Sequence, residues 1–164
     1  MSTERPKVNM LPFEGPNKRP QTGDVFDIRL PGFRLPGRVL TTEMNFPGAP
    51  GFKVVYIFNP VNDDWDPFVD RSPLQVSNLL VEPEVVNNLG WSRKYFRTLM
   101  RSEFLPGEKL NKTRFVSRSR KIPEFYDEYG NRADESEFPG LYGVGNYATV
   151  DASVSAALGV PDPE

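Results

Sequence analysis

FKVVYIFNP, residues 52–60, decides the fold. Phe52, Val54, Tyr56 and Phe58 alternate with Lys53, Val55 and Ile57, the period-two pattern of a strand. Val55 and Ile57 make the second face apolar too, so the stretch is predicted to be a central strand buried on both sides. Pro60 ends it.

Working outward toward the amino end, GDVFDIRL (23–30) places Phe26, Ile28 and Leu30 on one face and Val25, Asp27 and Arg29 on the other. PGFRLPGRVLT (31–41) follows with two Pro-Gly pairs, so a second, short strand is expected only around Arg38–Thr41, joined to the first by a hairpin or arch. Residues 1–22 read as a Pro-rich mobile arm, with Met10, Leu11 and Phe13 alone able to tack it to the body.

Toward the carboxyl end, VNDDWDPFVD (61–70) reads as a loop with four aspartates and an exposed tryptophan. SNLLVEP (77–83) reads as a strand stopped by Pro83, and NNLG (87–90) as a turn. WSRKYFRTLM (91–100) fits helical and strand spacing alike, and the preceding turn favours strand. RFVSRS (114–119) alternates, and KIPEFYDEYGNRA (121–133) carries a hairpin turn. One helix is expected near the end, with Thr149 or Asp151 as cap, Val150, Val154, Ala157 and Leu158 as apolar face, and Gly159 as stop.

With 13 glycines and 17 prolines among 164 residues, elements should be short and loops numerous. The expected fold is α+β and mainly β: a twisted antiparallel sheet or partly closed SH3-like barrel with a short C-terminal helix. Residues 23–160 form one domain in this reading, and 161–164 a tail.

The chain has no His and no Cys. Disulfides, thiolate nucleophiles, Cys/His zinc sites and imidazole-based triads are thereby excluded. No run of 18 apolar residues and no basic-then-apolar amino terminus occurs, so neither a membrane span nor a signal peptide is expected, and the expected location is cytoplasmic. The net charge of −2 resolves into blocks: +3 over 1–58, −5 over 59–90, +8 over 91–121 and −8 over 122–164. Such blocks either steer a charged partner or cancel against one another within the fold.

Several patterns bear on chemistry. Gly143-Val-Gly-Asn-Tyr-Ala148 matches the dinucleotide fingerprint as text, but too few residues follow for a second strand and its acidic residue. It reads as a Gly-rich turn into the last helix, and no cofactor is expected. Asp63, Asp64, Asp66 and Asp70 are oxygen donors of the kind hard cations take, yet the EF-hand order is absent, so no metal is expected. Glu124 with Asp127 or Glu128 could do acid–base work, and reads more simply as a surface hairpin. Between Arg93 and Lys121, ten basic residues interleave with Tyr95, Phe96, Phe104 and Phe115, with Trp91 just before. That is the composition of a platform for single-stranded nucleic acid, and equally of half-buried strands.

GDVFDIRL, GRVL (37–40), YIFNP (56–60), LLVEP (79–83), GW followed by YF (90–96), FYDEYGNR (125–132) and GLYGVGNYATVDASVSAALGV (140–160) occur in an order and spacing that resembles the immunity protein 26 family. These are small cytoplasmic proteins predicted to neutralise toxin domains of bacterial polymorphic toxin systems. The resemblance covers residues 22–160, with one departure: glycine is expected where Lys94 stands. It implies binding and inhibition of a cognate toxin domain, with no reaction of its own and no catalytic residues. Two acidic segments are then the candidate toxin-binding face: Asp63, Asp64, Asp66 and Asp70 with Trp65, and Glu124, Asp127 and Glu128 with Tyr126 and Tyr129. The competing expectation is a small nucleic-acid-binding module using residues 91–121. A membrane partner is not expected.

Overall fold

In the computed structural model, which describes residues 5–119 and 121–163, the strand read from residues 52–60 is β3. Strands β1 (Asp24–Leu30), β2 (Phe33–Phe46), β3 (Ala49–Ile57), β4 (Glu84–Val86) and β5 (Arg97–Arg101) form an antiparallel sheet in the order β4-β3-β2-β1-β5. β4 and β5 are its edges, so the sheet is open and is not closed into a barrel. Val54 to Phe58 are all fully buried, because the sheet is covered on both faces. On one side Phe26, Ile28, Leu35, Val39, Val55 and Ile57 meet the helix α2 (Tyr147–Leu158) through Tyr147, Val150 and Val154. On the other, Val25, Met44, Val54, Tyr56 and Phe58 meet Trp65, Leu74 and Phe115. Phe115 comes from a second sheet, β8-β7-β6-β9, built of β6 (Arg114–Ser117), β7 (Glu124–Asp127), β8 (Arg132–Ala133) and β9 (Gly140–Leu141), with β6 and β9 parallel. The protein is thus mainly β with a short C-terminal helix, in two sheets.

Strand β2 runs unbroken through Pro36 and Gly37, where only a short strand from Arg38 was expected. The carbonyl of Pro36 accepts from Phe58 N (2.9 Å), beyond the last β2–β3 pair at Gly37–Ile57, so its missing N–H falls at the end of the ladder. Gly37 is needed there, because a Cβ would overlap the ring of Phe26. The strand expected over 77–83 is absent. Two 3-10 turns (Ser72–Leu74 and Val76–Asn78) lead into a single bridge, Leu79 to Phe58, and β4 starts only after Pro83. Residues 91–100 divide, with α1 (Leu89–Ser92) ahead of β5. Asn87 Oδ1 accepting from Leu89 N (3.0 Å) starts that turn.

α2 begins earlier than the sequence suggested. Asn146 is the cap: its side chain accepts from Ala148 N (2.7 Å) while Thr149 Oγ1 accepts from Asn146 N (3.2 Å), a reciprocal box. Gly159 ends the helix in the left-handed conformation, as expected. Asp151 faces inward and accepts from Met10 N (2.8 Å). This contact helps stitch residues 5–22 to the body. Met10 is buried in the first core, Leu11 N donates to Arg29 O, and Asn17 Nδ2 donates to the carbonyls of Trp91 and Phe96. Residues 1–4 of the arm and Glu164 of the tail lie outside the described residues.

Among the described residues, Lys94 is the one non-glycine with positive φ, at 64°. It follows α1 and turns the chain into β5. A side chain in that conformation costs roughly 1 kcal/mol through its Cβ. Lys94→Gly is therefore expected to raise stability by about 0.5–1 kcal/mol, read as a higher denaturant midpoint at unchanged slope.

Candidate functional site

The loop after β3 carries the first acidic group, and Arg34 holds it. The Arg34 side chain is buried; its Nε donates to Asp27 Oδ2 (2.8 Å), and its Nη1 reaches the carbonyls of Trp65 (2.7 Å) and Asp63 (3.2 Å). Val61 N returns a bond to Arg34 O (2.9 Å). Arg97 from β5 makes two further bonds to the Asp27 carboxylate, 3.0 and 2.7 Å, so one buried carboxylate orients both arginines. Within the loop, Phe68 N donates to Asp66 Oδ1, Asp70 N to Asp66 O, and Ser72 N and Oγ to Asp70 Oδ1. The Ser72 bonds hold the Asp70 carboxyl below its ordinary range.

Trp65, expected at the surface, is only 9% exposed. Its Nε1 donates to Asp70 O (2.9 Å), and the Arg34 guanidinium lies 5.3 Å from its ring centroid. An indole placed over an arginine and under the loop serves packing and leaves little surface for a partner. The apolar side chains that do reach solvent are Phe68 (74%) and Val69 (84%), which the sequence reading passed over. Asp63, Asp64, Asp66 and Asp70 are exposed around them, Asp63 within 3.0 Å of Arg29 Nη1. Beside them, Asn62, Asp64, Trp65 and Asp70 line an open cleft of about 630 Å³. The available signal was the apolar pair itself, set between aspartates in a loop.

The second acidic group is on the β7–β8 hairpin. Tyr126 stacks on Tyr142 at 3.9 Å between centroids and donates to Glu124 Oε2 (2.9 Å), which pushes its own hydroxyl up. Glu124 also faces Arg132 Nη1 at 3.4 Å. Asp127 Oδ1 accepts from Tyr129 N and Asn131 N, so this carboxylate closes the turn. Burial, then Asp127, push the Glu128 carboxyl up. Tyr129 is half exposed, and its carbonyl accepts from Asn45 N (3.2 Å). Asn45 lies near the end of β2 and Arg34 near its start, so the two acidic groups are anchored at opposite ends of one strand. No group of three or more carboxylates among the described residues is arranged to hold a metal ion, and no helix among them is long and apolar enough to cross a membrane.

In the basic segment, Arg97 is paired with Asp27, and Lys112 and Arg114 with Asp134, whose carboxyl they draw down to about 2. Arg93 donates to Tyr147 Oη (2.7 Å), and Arg101 to Gln21 Oε1. Trp91, Phe96 and Phe115 are core residues, Tyr95 stacks on Tyr147, and Phe104 lies under Arg38. Arg120 lies outside the described residues.

Glu84 was not singled out by the sequence. It starts β4 beneath α2, and its Oε1 accepts from Ser153 Oγ (3.1 Å). Oε2 is shut off from solvent and has no hydrogen-bond partner among the described residues. Burial, with Glu82 adding like charge, pushes this carboxyl up to about 7 against the opposing Ser153 bond.

Set against known protein families, characterised proteins and solved structures, the chain matches none. The geometry at Glu84 has a direct consequence for stability. The folded protein keeps a proton that the unfolded chain releases between pH 4.5 and about 7, so stability falls as pH rises through that window and levels above it. Glu84→Gln is expected to remove that slope and to stabilise the protein at pH 8 by on the order of 2 kcal/mol, measured by urea unfolding at several pH values.

Proposed function

We propose that this protein is an immunity protein, which binds and neutralises a cognate bacterial toxin domain in the cytoplasm through the loop after β3. The observation that carries this reading is the pair Phe68 and Val69, standing in solvent on a loop whose backbone is pinned by Arg34 and whose rim is four aspartates. An exposed aromatic beside an aliphatic residue supplies anchor area, and surrounding carboxylates speed encounter with a basic surface. The pinning means that little loop ordering remains to oppose association. The hairpin group, Glu124 to Tyr129, sits at the other end of β2 and is a separate contact in this reading. The lack of His and Cys is compatible with a protein that binds and catalyses nothing.

The nucleic-acid reading of residues 91–121 has less support. Stacking needs exposed rings, and Trp91, Phe96 and Phe115 are buried. Phosphate contact needs free cations, and Arg97, Lys112 and Arg114 already hold Asp27 and Asp134. The charge blocks cancel in part within the fold.

The test begins with a toxin gene adjacent to this one and rescue of cells by co-expression. With that toxin domain in hand, changing Asp63, Asp64 and Asp66 to Lys is expected to slow association by roughly tenfold or more and to flatten its salt dependence. Phe68→Ala is expected to speed dissociation by roughly ten- to a hundredfold. Unchanged rates in both variants would remove the loop as the binding face. Salt-sensitive binding of single-stranded RNA or DNA, lost on Arg93→Ala and Arg118→Ala, would favour the other reading.

A further inference from the structure

A second cleft, of about 460 Å³, opens between β4, β9 and α2. Its floor includes Val81 and Val116, both buried, and Leu141 stands at its mouth with 72% of its surface exposed. Its polar end is Glu84 with Ser153. One oxygen of the Glu84 carboxyl has a partner, and the other, buried, has none among the described residues. A buried acceptor without a donor is costly and uncommon, and one bordering a cleft invites a donor from outside.

We propose that this cleft binds a single organic cation, a primary ammonium or guanidinium on a short aliphatic stem, with the Glu84 carboxylate as counter-ion. The Ser153 hydroxyl spends its proton between Glu84 Oε1 and the carbonyl of Thr149, which leaves its lone pairs to accept a second bond from the same head group. Val81, Val116 and Leu141 are the bed for the stem. The terminal torsion of a glutamate is broad, so the carboxylate can rotate as a unit to present an oxygen to a head group in the cleft. A metal ion is a poorer fit, because hard cations want six or more oxygen ligands and the floor is apolar. An anion is opposed by Glu82 and Glu84, which outnumber the single cation of the lining, Arg118.

The charged groups around Glu84 make the site pH-dependent. Glu82 and Arg118 line the same cleft, α2 presents the uncharged Thr149 and Ser153, and on β3 Lys53 is turned to the carbonyl of Gly51. Only the ionised form of Glu84 pairs with a cation, and its carboxyl gives up its proton near pH 7. Affinity for the cation therefore rises with pH up to that point and then levels. The shared chemistry has two sources, a free small molecule or an Arg or Lys side chain of a protein partner. Neither source involves the acidic loop, so failure of this site and failure of the immunity reading are separate results.

The experiment titrates the full chain with butylguanidinium, butylamine and a capped Gly-Arg-Gly peptide, following backbone amide shifts at pH 8.0 and 5.5. Saturable shifts at Val116, Gly140 and Ser153 are expected at pH 8.0, with affinity at least tenfold lower at pH 5.5. Glu84→Gln should abolish them in a protein whose spectrum remains folded, while Asp63→Lys with Asp66→Lys should leave them intact. Tenfold tighter binding of the peptide than of butylguanidinium identifies a protein side chain as the source, and the reverse order a free small cation. Absence of saturable shifts, binding that survives Glu84→Gln, or affinity equal at the two pH values would overturn the proposal.

Discussion

The carboxylate of Asp27 is the contact on which much else depends. It lies within β1, in a sheet covered on both faces, and is almost wholly buried. A lone charge in that position is prohibitive, so it must be paired, and Arg34 of β2 and Arg97 of β5 pair with it from either side. The three residues clamp three adjacent strands in one register. Arg34 then has donors to spare, and it directs them at the carbonyls of the loop after β3. A constraint of the core thereby becomes the support of the proposed binding surface.

The same logic recurs across the sheet. Arg38 and Glu108 are both fully buried and meet at 2.9 Å, with Arg71 on the same carboxylate at 2.5 Å. Arg38 also donates to the carbonyls of Ser102 and Glu103, and Leu105 N donates to Glu108 Oε1. The segment after β5 has no regular ladder of its own, and this network takes its place. Removing Glu108 would leave the Arg38 guanidinium buried without its carboxylate, a loss of roughly 3–5 kcal/mol, whereas without Arg38 the Glu108 carboxylate keeps Arg71. Glu84 is the contrasting case, a buried carboxyl with one oxygen unpaired among the described residues, and burial pushes it up to about 7.

Much of the fold was legible because alternation is a local property. β1 and β3, the β7–β8 hairpin and the last helix with its Gly159 stop followed from spacing and turn residues, while the helix start at Asn146 did not. The errors have physical causes. Pro36 and Gly37 look like a break until Phe26 is seen lying over the glycine and the proline is found at the end of a ladder. Residues 77–83 carry the apolar run Leu79-Leu80-Val81 that suggested a strand, yet form one bridge only. Lys94 holds a left-handed backbone between α1 and β5, a conformation that nothing in the local pattern of side chains announces. At the candidate site the aspartates were legible and the anchors were not. A tryptophan in an acidic loop looks exposed, but here an arginine from β2 and a carbonyl at position 70 give its ring and its N–H places inside.

By itself the sequence determined that a strand covered on both faces runs through residues 52–57, because period two with apolar residues on each parity is the pattern of such a strand. By itself it also excluded imidazole and thiol chemistry, since those groups are absent. Only the tertiary structure decided which apolar side chains of the acidic loop face solvent, that the two acidic groups lie at opposite ends of β2, and that a carboxyl of β4 is left half unpaired beneath α2. These follow from pairings such as Asp27 with Arg97 and Glu84 with Ser153, which are separated by many residues and leave no periodic trace in the chain.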